Sequence, residues 1–132
     1  MVKIRKTSRH ADVQHQYDED KIALQQLYGD DIPCPFCAPD RKRIEELKTM
    51  QVLYNDYPYE YFDGRYVKEH IMIVPRRHIN LFDSYTAQEH EEYWQLFVKY
   101  QLLGYASLTR PVGDTHRSVP AHLHTHLLTY HD

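Results

Sequence analysis

The chain is poor in the residues that staple, bend or embed a protein. Its 132 residues include two cysteines, four glycines and one tryptophan. Two cysteines cannot form the disulfide framework of a small secreted scaffold. No run approaches the ~20 apolar residues that a membrane-crossing helix requires. An excess of positive charge is also missing: 16 Lys and Arg stand against 19 Asp and Glu, for a net charge of -3 and a pI near 6.3. That balance disfavours nucleic-acid binding through overall charge. Internal repeats and low-complexity stretches are absent. The start, Met1 to His10, is basic, but no long apolar segment follows it, so it does not read as a secretory signal. Together with the retained thiols this makes a cytoplasmic location the expectation.

What remains is ordinary globular composition, 42% hydrophobic and 27% charged, in a length that suits one domain. Residues 1–17 are polar and irregular and read as a flexible N-terminal segment, leaving 18–132 as a single domain. Two residue types are over-represented: 12 tyrosines and 10 histidines, six of the histidines lying from His90 onward.

Periodicity outlines the elements. A short helix is expected after Asp18-Glu19-Asp20, carrying Ile22, Leu24, Leu27 and Tyr28 and ending at Gly29. Arg41 to Lys48, with Ile44 and Leu47 among charges, suggests one or two helical turns. Strands are expected at Met50–Tyr54, at Tyr59–Phe62 before an Asp63-Gly64 turn, and most clearly at Glu69–Val74. Ser84 and Thr86 are N-cap candidates for a helix over 87–103, whose apolar residues form one broad face. Two further strands are expected at 105–108 and 123–129. The order predicts an α+β fold, a mainly antiparallel sheet with a long helix and a short N-terminal helix outside it.

The cysteines stand together in Cys34-Pro35-Phe36-Cys37. A C-x-x-C pair is half of a metal site, a redox dithiol or two inert residues. The surrounding loop, rich in proline and aspartate, favours metal over the helix N-terminus that redox pairs use. Two more ligands are then needed, and with no other cysteine they must be histidine or carboxylate.

The most informative stretch is His122-Leu123-His124-Thr125-His126-Leu127-Leu128. On a strand, histidines at a period of two share one face, ~6.5–7 Å apart along the chain. Such a face can exchange protons, attack phosphorus or bind a metal. A histidine-rich tag is disfavoured by the interleaved leucines. A purely structural histidine face and a mononuclear metal site stay open on this segment alone.

This stretch resembles the signature of the histidine triad superfamily, with Thr125 at one normally apolar position. His70-Ile-Met-Ile-Val-Pro75-Arg-Arg-His78 is similar to the superfamily's second signature, and Asn55-Asp-Tyr-Pro58 has the spacing of its ribose contact. The resemblance spans roughly residues 30–130. It implies a nucleotide bound on the histidine face of an antiparallel sheet, and commonly a homodimer. It also implies a hydrolase or nucleotidyltransferase acting on phosphoanhydride or phosphoramidate bonds, with a covalent nucleotidyl-histidine intermediate at His124. His126 would meet the leaving group; Asn55, Ser118 and Arg117 would contact the nucleotide, Arg110 being a further candidate for phosphate charge. In the zinc-carrying branch a C-x-x-C pair is completed by two histidines, here His78 and His122. This gives Cys34, Cys37, His78 and His122 as ligands of one structural zinc. The turn before the triad is one residue longer than usual, and Thr109-Arg110-Pro111 stands where an asparagine is common. A non-catalytic module binding zinc and nucleotide is the alternative, disfavoured because His124 is present.

Overall fold

The computed structural model describes residues 9–114, 116, 117 and 119–131. Ser118, one of the expected nucleotide contacts, lies outside the described residues. The architecture is the expected α+β fold: two helices and a six-stranded antiparallel sheet.

The strands are β1 (Arg43–Glu46), β2 (Met50–Tyr54), β3 (Tyr61–Phe62), β4 (Arg65–Pro75), β5 (Ala106–Leu108) and β6 (Thr125–Tyr130). Their order across the sheet is β1-β2-β4-β6-β5, with β3 pairing with β4 as a small extra hairpin. That hairpin turns at Asp63 (φ 53) and Gly64 (φ 74). Positive φ at both residues is what a two-residue turn between right-twisting strands needs, and Asp-Gly supplies it. The turn lets β4 begin at Arg65, four residues before the expected start.

Side-chain alternation splits the sheet into two faces. Met50, Val52, Ile71, Ile73 and Leu127 form the main core, closed by Leu96 and Tyr100 of α2 (Ala87–Leu102). Helix α2 opens with a capping box: Thr86 accepts from the Glu89 amide, and the Glu89 carboxylate accepts from the Thr86 amide. Leu53, Met72 and Val74 point the other way, under Phe36 of the cysteine loop. Thr125 faces α2, which explains a hydroxyl at an apolar position of the motif. Its Oγ1 lies 2.9 Å from the Tyr93 hydroxyl and 2.6 Å from Thr109 Oγ1.

Besides the early start of β4 and a β6 that begins two residues late, two elements differ from expectation. Helix α1 runs Ala11–Tyr28, starting well before Asp18, and is longer than α2 rather than short. It buries none of its residues, so no apolar periodicity marks its first turns. Bonds one turn apart support it instead: Gln14 to Asp18, Gln16 to Asp20 and His15 to Glu19. Residues 43–46 are a strand, not helical turns. Their polar side chains are committed across the sheet, Arg43 to Gln51 at 2.7 Å and Glu45 to Lys99 and Tyr100 of α2. The Ile44–Leu47 spacing that suggested a helix comes from an outward-facing Ile44 and a Leu47 packed on the core.

Candidate functional site

The face of the sheet opposite α2 carries two adjoining clusters. The first brings together Cys34, Cys37, His78 and His122, whose ligand atoms all lie within 4.8 Å of one another. Cys34 precedes and Cys37 closes a single 3₁₀ turn, Pro35–Cys37; His78 follows the end of β4, and His122 precedes β6. His122 Nδ1 lies 3.4 Å from Cys34 Sγ, 3.5 Å from Cys37 Sγ and 3.2 Å from His78 Nδ1. Ligand bonds of about 2.0–2.3 Å in a tetrahedron put neighbouring N and S donors about 3.5 Å apart, so the spacing fits zinc. The far side of the His122 ring agrees. Nε2 meets the Pro75 carbonyl at 2.8 Å, and because a carbonyl only accepts, Nε2 carries the proton and Nδ1 keeps its lone pair. A backbone carbonyl behind the ring is the usual support of a metal-binding histidine. Burial, and then the adjacent Cys34, push the Cys37 thiol up to about 11. A cation between the two sulfurs would reverse that and allow both thiolates. The four residues could therefore hold a metal, and the donor set suits zinc.

The second cluster is His70, His124 and His126, all buried. His124 Nδ1 meets the His122 carbonyl at 2.9 Å. That bond places the proton on Nδ1 and leaves Nε2 with its lone pair. Burial, the largest cause, together with Arg117, His122 and Arg110 lowers the pKa of this ring to about 4 against the opposing carbonyl bond. The ring is therefore a neutral imidazole at neutral pH. His126 and His70 form a directed chain. The Tyr59 amide donates to His70 Nδ1 at 3.1 Å, so His70 carries its proton on Nε2. That proton faces His126 Nδ1 at 2.8 Å, which leaves His126 protonated on Nε2. Burial, then neighbouring cations and histidines, keep His70 at about 3 and His126 well below the ordinary histidine value. One face thus presents a bare nitrogen on His124 beside an N–H on His126, with ring centroids 4.9 Å apart.

The other expected residues fall around these clusters. Asn55 accepts the Tyr57 amide on Oδ1 at 2.8 Å and sets its Nδ2 3.3 Å from His70 Nε2 and 3.5 Å from Met72 Sδ. It lines a cavity of ≈ 850 Å³ together with Tyr17, Phe36, Tyr57 and Met72. Helix α1 forms one wall of this cavity, held by the Tyr57 hydroxyl donating to Asp20 at 2.6 Å. Arg117 is buried and donates to the carbonyls of Asn80 and Pro120 at 3.2 and 3.4 Å. Those bonds tie down the turn before the triad. His70 was not marked as a site residue by sequence reasoning. It is 56 residues from His126 in the chain, and only the β4–β6 register, Met72 opposite His126, brings it onto the face.

An open antiparallel sheet of six strands with two helices is the fold of the histidine triad proteins. Among solved structures the chain is similar to a HIT family hydrolase from Legionella pneumophila Philadelphia 1, at 18% identity and TM-score 0.56, covering 76% of this chain and 95% of that one. It is also similar to a histidine triad protein from Clostridium difficile, at 17% identity and TM-score 0.51, covering 84% and 90%. A third is a histidine triad nucleotide-binding protein from Candida albicans, at 17% identity and TM-score 0.50, covering 84% and 75%. At these identities the likeness is one of fold. No family model matches the sequence, and no curated protein matches it.

Proposed function

We propose that this chain is a histidine triad enzyme, a nucleotide-binding hydrolase or nucleotidyltransferase acting on phosphoanhydride or phosphoramidate bonds of nucleoside phosphates. The observation that carries the reading is the protonation pattern of the triad: His124 neutral with Nε2 unprotonated, and His126 with Nε2–H beside it. In the first step His124 Nε2 attacks phosphorus, the P–N bond forms, and the bond to the leaving group breaks. The His126 Nε2–H is placed to give a hydrogen bond to the departing oxygen or nitrogen, which leaves with a proton from the substrate or solvent. In the second step water or a phosphate acceptor attacks the nucleotidyl-histidine; the P–N bond breaks, the proton of the acceptor passes to solvent, and His124 is returned neutral. Asn55 and the cavity beside it suit the ribose and base, whose π-face would meet Phe36 and Tyr57. Zinc on Cys34, Cys37, His78 and His122 would be structural, because four protein ligands leave no open position. A homodimer is part of the same reading. It is supported by an unpartnered stripe on α2, where Trp94 is 62% and Leu102 83% exposed.

The test is a panel of adenosine and guanosine phosphoramidates and dinucleoside polyphosphates, with and without inorganic phosphate. His124→Asn is expected to abolish turnover and to leave nucleotide binding within about tenfold. Mass spectrometry of quenched wild-type reactions is expected to find a nucleotidyl adduct on the peptide containing His124. Full activity in the variant refutes the mechanism. Binding without turnover across the whole panel, in the wild type, assigns the chain to non-catalytic zinc and nucleotide binding instead.

A further inference from the structure

Two loops line the cavity beside Asn55. The cysteine loop contributes Pro35 and Phe36, and the turn after β2 contributes Asn55, Asp56 and Tyr57. Arg41, between the cysteine loop and β1 in the chain, does not line the cavity but bonds to both loops. Its Nη1 donates to Asp56 Oδ2 at 2.8 Å and to the Pro35 carbonyl at 3.4 Å, and its Nη2 donates to the Tyr54 carbonyl at 2.8 Å. The guanidinium also sits 5.4 Å from the centroid of the Phe36 ring, within cation–π range. Asn55 is thus gripped through the residues on either side of it. Phe36 is gripped through its ring and the carbonyl before it, and that ring meets His124 edge-on with centroids 5.1 Å apart.

Stability alone does not account for this arrangement. The Arg41 side chain is 12% exposed, whereas Asp56, its carboxylate partner, is 56% exposed. Arg41 Nε is buried with no hydrogen-bond partner. Burying a cation with one N–H unmet costs desolvation that a pair with a half-solvated acid offsets poorly. What the guanidinium provides is placement. Its planar fork fixes two backbone carbonyls and a carboxylate at once, which the single point charge of a lysine cannot.

We propose that Arg41 is a positioning residue for nucleoside binding: through Tyr54, Asp56 and Phe36 it sets the spacing between Asn55 and the cysteine loop. The nucleoside in this statement rests on the function proposed above; the spacing does not. Without Arg41 the two loops lose their common anchor, and Asn55 and Phe36 meet a ligand in poorer mutual geometry. Among the described residues none of the Arg41 bonds goes to a triad or metal-cluster side chain. The loss therefore falls on ligand binding and not on the metal.

The test measures AMP affinity by calorimetry, zinc content, and the ¹⁵N side-chain amide signal of Asn55, assigned by its disappearance in Asn55→Asp. Arg41→Met, which keeps the length of the side chain and removes its charge and fork, is expected to weaken AMP about tenfold and to move the Asn55 signal, with zinc content unchanged. Arg41→Lys, which restores the charge without the fork, is expected to recover part of both effects. If Arg41→Met does not fold, Arg41→Lys decides: AMP weakened about two- to threefold with a shifted Asn55 signal upholds the assignment. AMP affinity unchanged in a folded variant overturns it, as does a loss of zinc in step with AMP, which marks Arg41 as a residue of stability only. A wild type that binds no AMP overturns the nucleotide reading instead. Arg41 is then judged on the Asn55 signal: movement in Arg41→Met with partial return in Arg41→Lys upholds the positioning role, and an unmoved signal overturns it.

Discussion

His70 offers a direct energetic test of the buried histidine chain. The residue is 4% exposed. Burial first, then the charges of Arg9, His124 and Arg110, lower its pKa from 6.5 to about 3. The folded protein thus holds a neutral ring, whereas the unfolded chain takes up a proton once the pH falls below 6.5. The stability this ring contributes is complete above that value and is lost as the pH falls toward 3. At pH 5 the unfolded ring lies about 1.5 pH units below its pKa, so proton uptake favours unfolding by about 2 kcal/mol. His126 acts in the same direction. Urea unfolding of the wild type and of His70→Gln at pH 7 and pH 5 isolates the effect. The variant is expected to be less stable at pH 7, because the Tyr59 amide and His126 lose their partner. Its stability should nevertheless fall about 2 kcal/mol less than the wild type's between the two pH values. The cysteine and histidine ligands titrate in both proteins and cancel in the comparison. Equal losses on acidification in the two proteins would refute the protonation chain.

Two further outcomes test the metal cluster and the assembly. Protein purified without chelator is expected to contain about one zinc per chain, and Cys37→Ser to lower zinc content and Tm together, as measured by metal analysis and thermal unfolding. Zinc-free protein at full stability would contradict this. Light scattering at micromolar concentration is expected to give twice the 15.9 kDa chain mass, and Trp94→Glu to shift it toward one chain; a single-chain mass in the wild type would contradict the dimer.

Much of the frame can be read directly along the chain. Helix α2 announces itself through Thr86 and Glu89 at capping-box spacing, and β4 through an unbroken apolar run ending at Pro75. The four residues that could hold a metal were legible too, Cys34 and Cys37 from their C-x-x-C spacing and His78 and His122 from the resemblance to the zinc-carrying branch. Apart from α1, the misses share a physical cause, which is that their partners are distant in sequence. Helix α1 has no buried face, so its early start rests on Gln14, His15 and Gln16 reaching acids one turn on. Strand β1 is held by bonds to Gln51, Lys99 and Tyr100. His70 joins the histidine face only through the register of β4–β6, as β5 joins the sheet through that of β5–β6. Arg117 donates to the carbonyls of Asn80 and Pro120, contacts that the sequence alone does not mark.

Those registers also explain how one alternating segment can serve two chemistries. His122 and His124 are the same residue type, two positions apart. They differ in which ring nitrogen a carbonyl claims: Pro75 takes the Nε2 proton of His122, while the His122 carbonyl takes the Nδ1 proton of His124. The first leaves Nδ1 facing the cysteines, and the second leaves the lone pair on Nε2. The two choices are mechanically linked, since the carbonyl that sets the His124 tautomer belongs to His122. Whatever fixes the His122 ring between Pro75 and the cysteine loop therefore also fixes the orientation of that carbonyl. The cysteine cluster and the triad are accordingly joined through one backbone carbonyl. A change at Cys37 should reach His124 through a single backbone group, as loosened tautomer control added to any loss of overall stability.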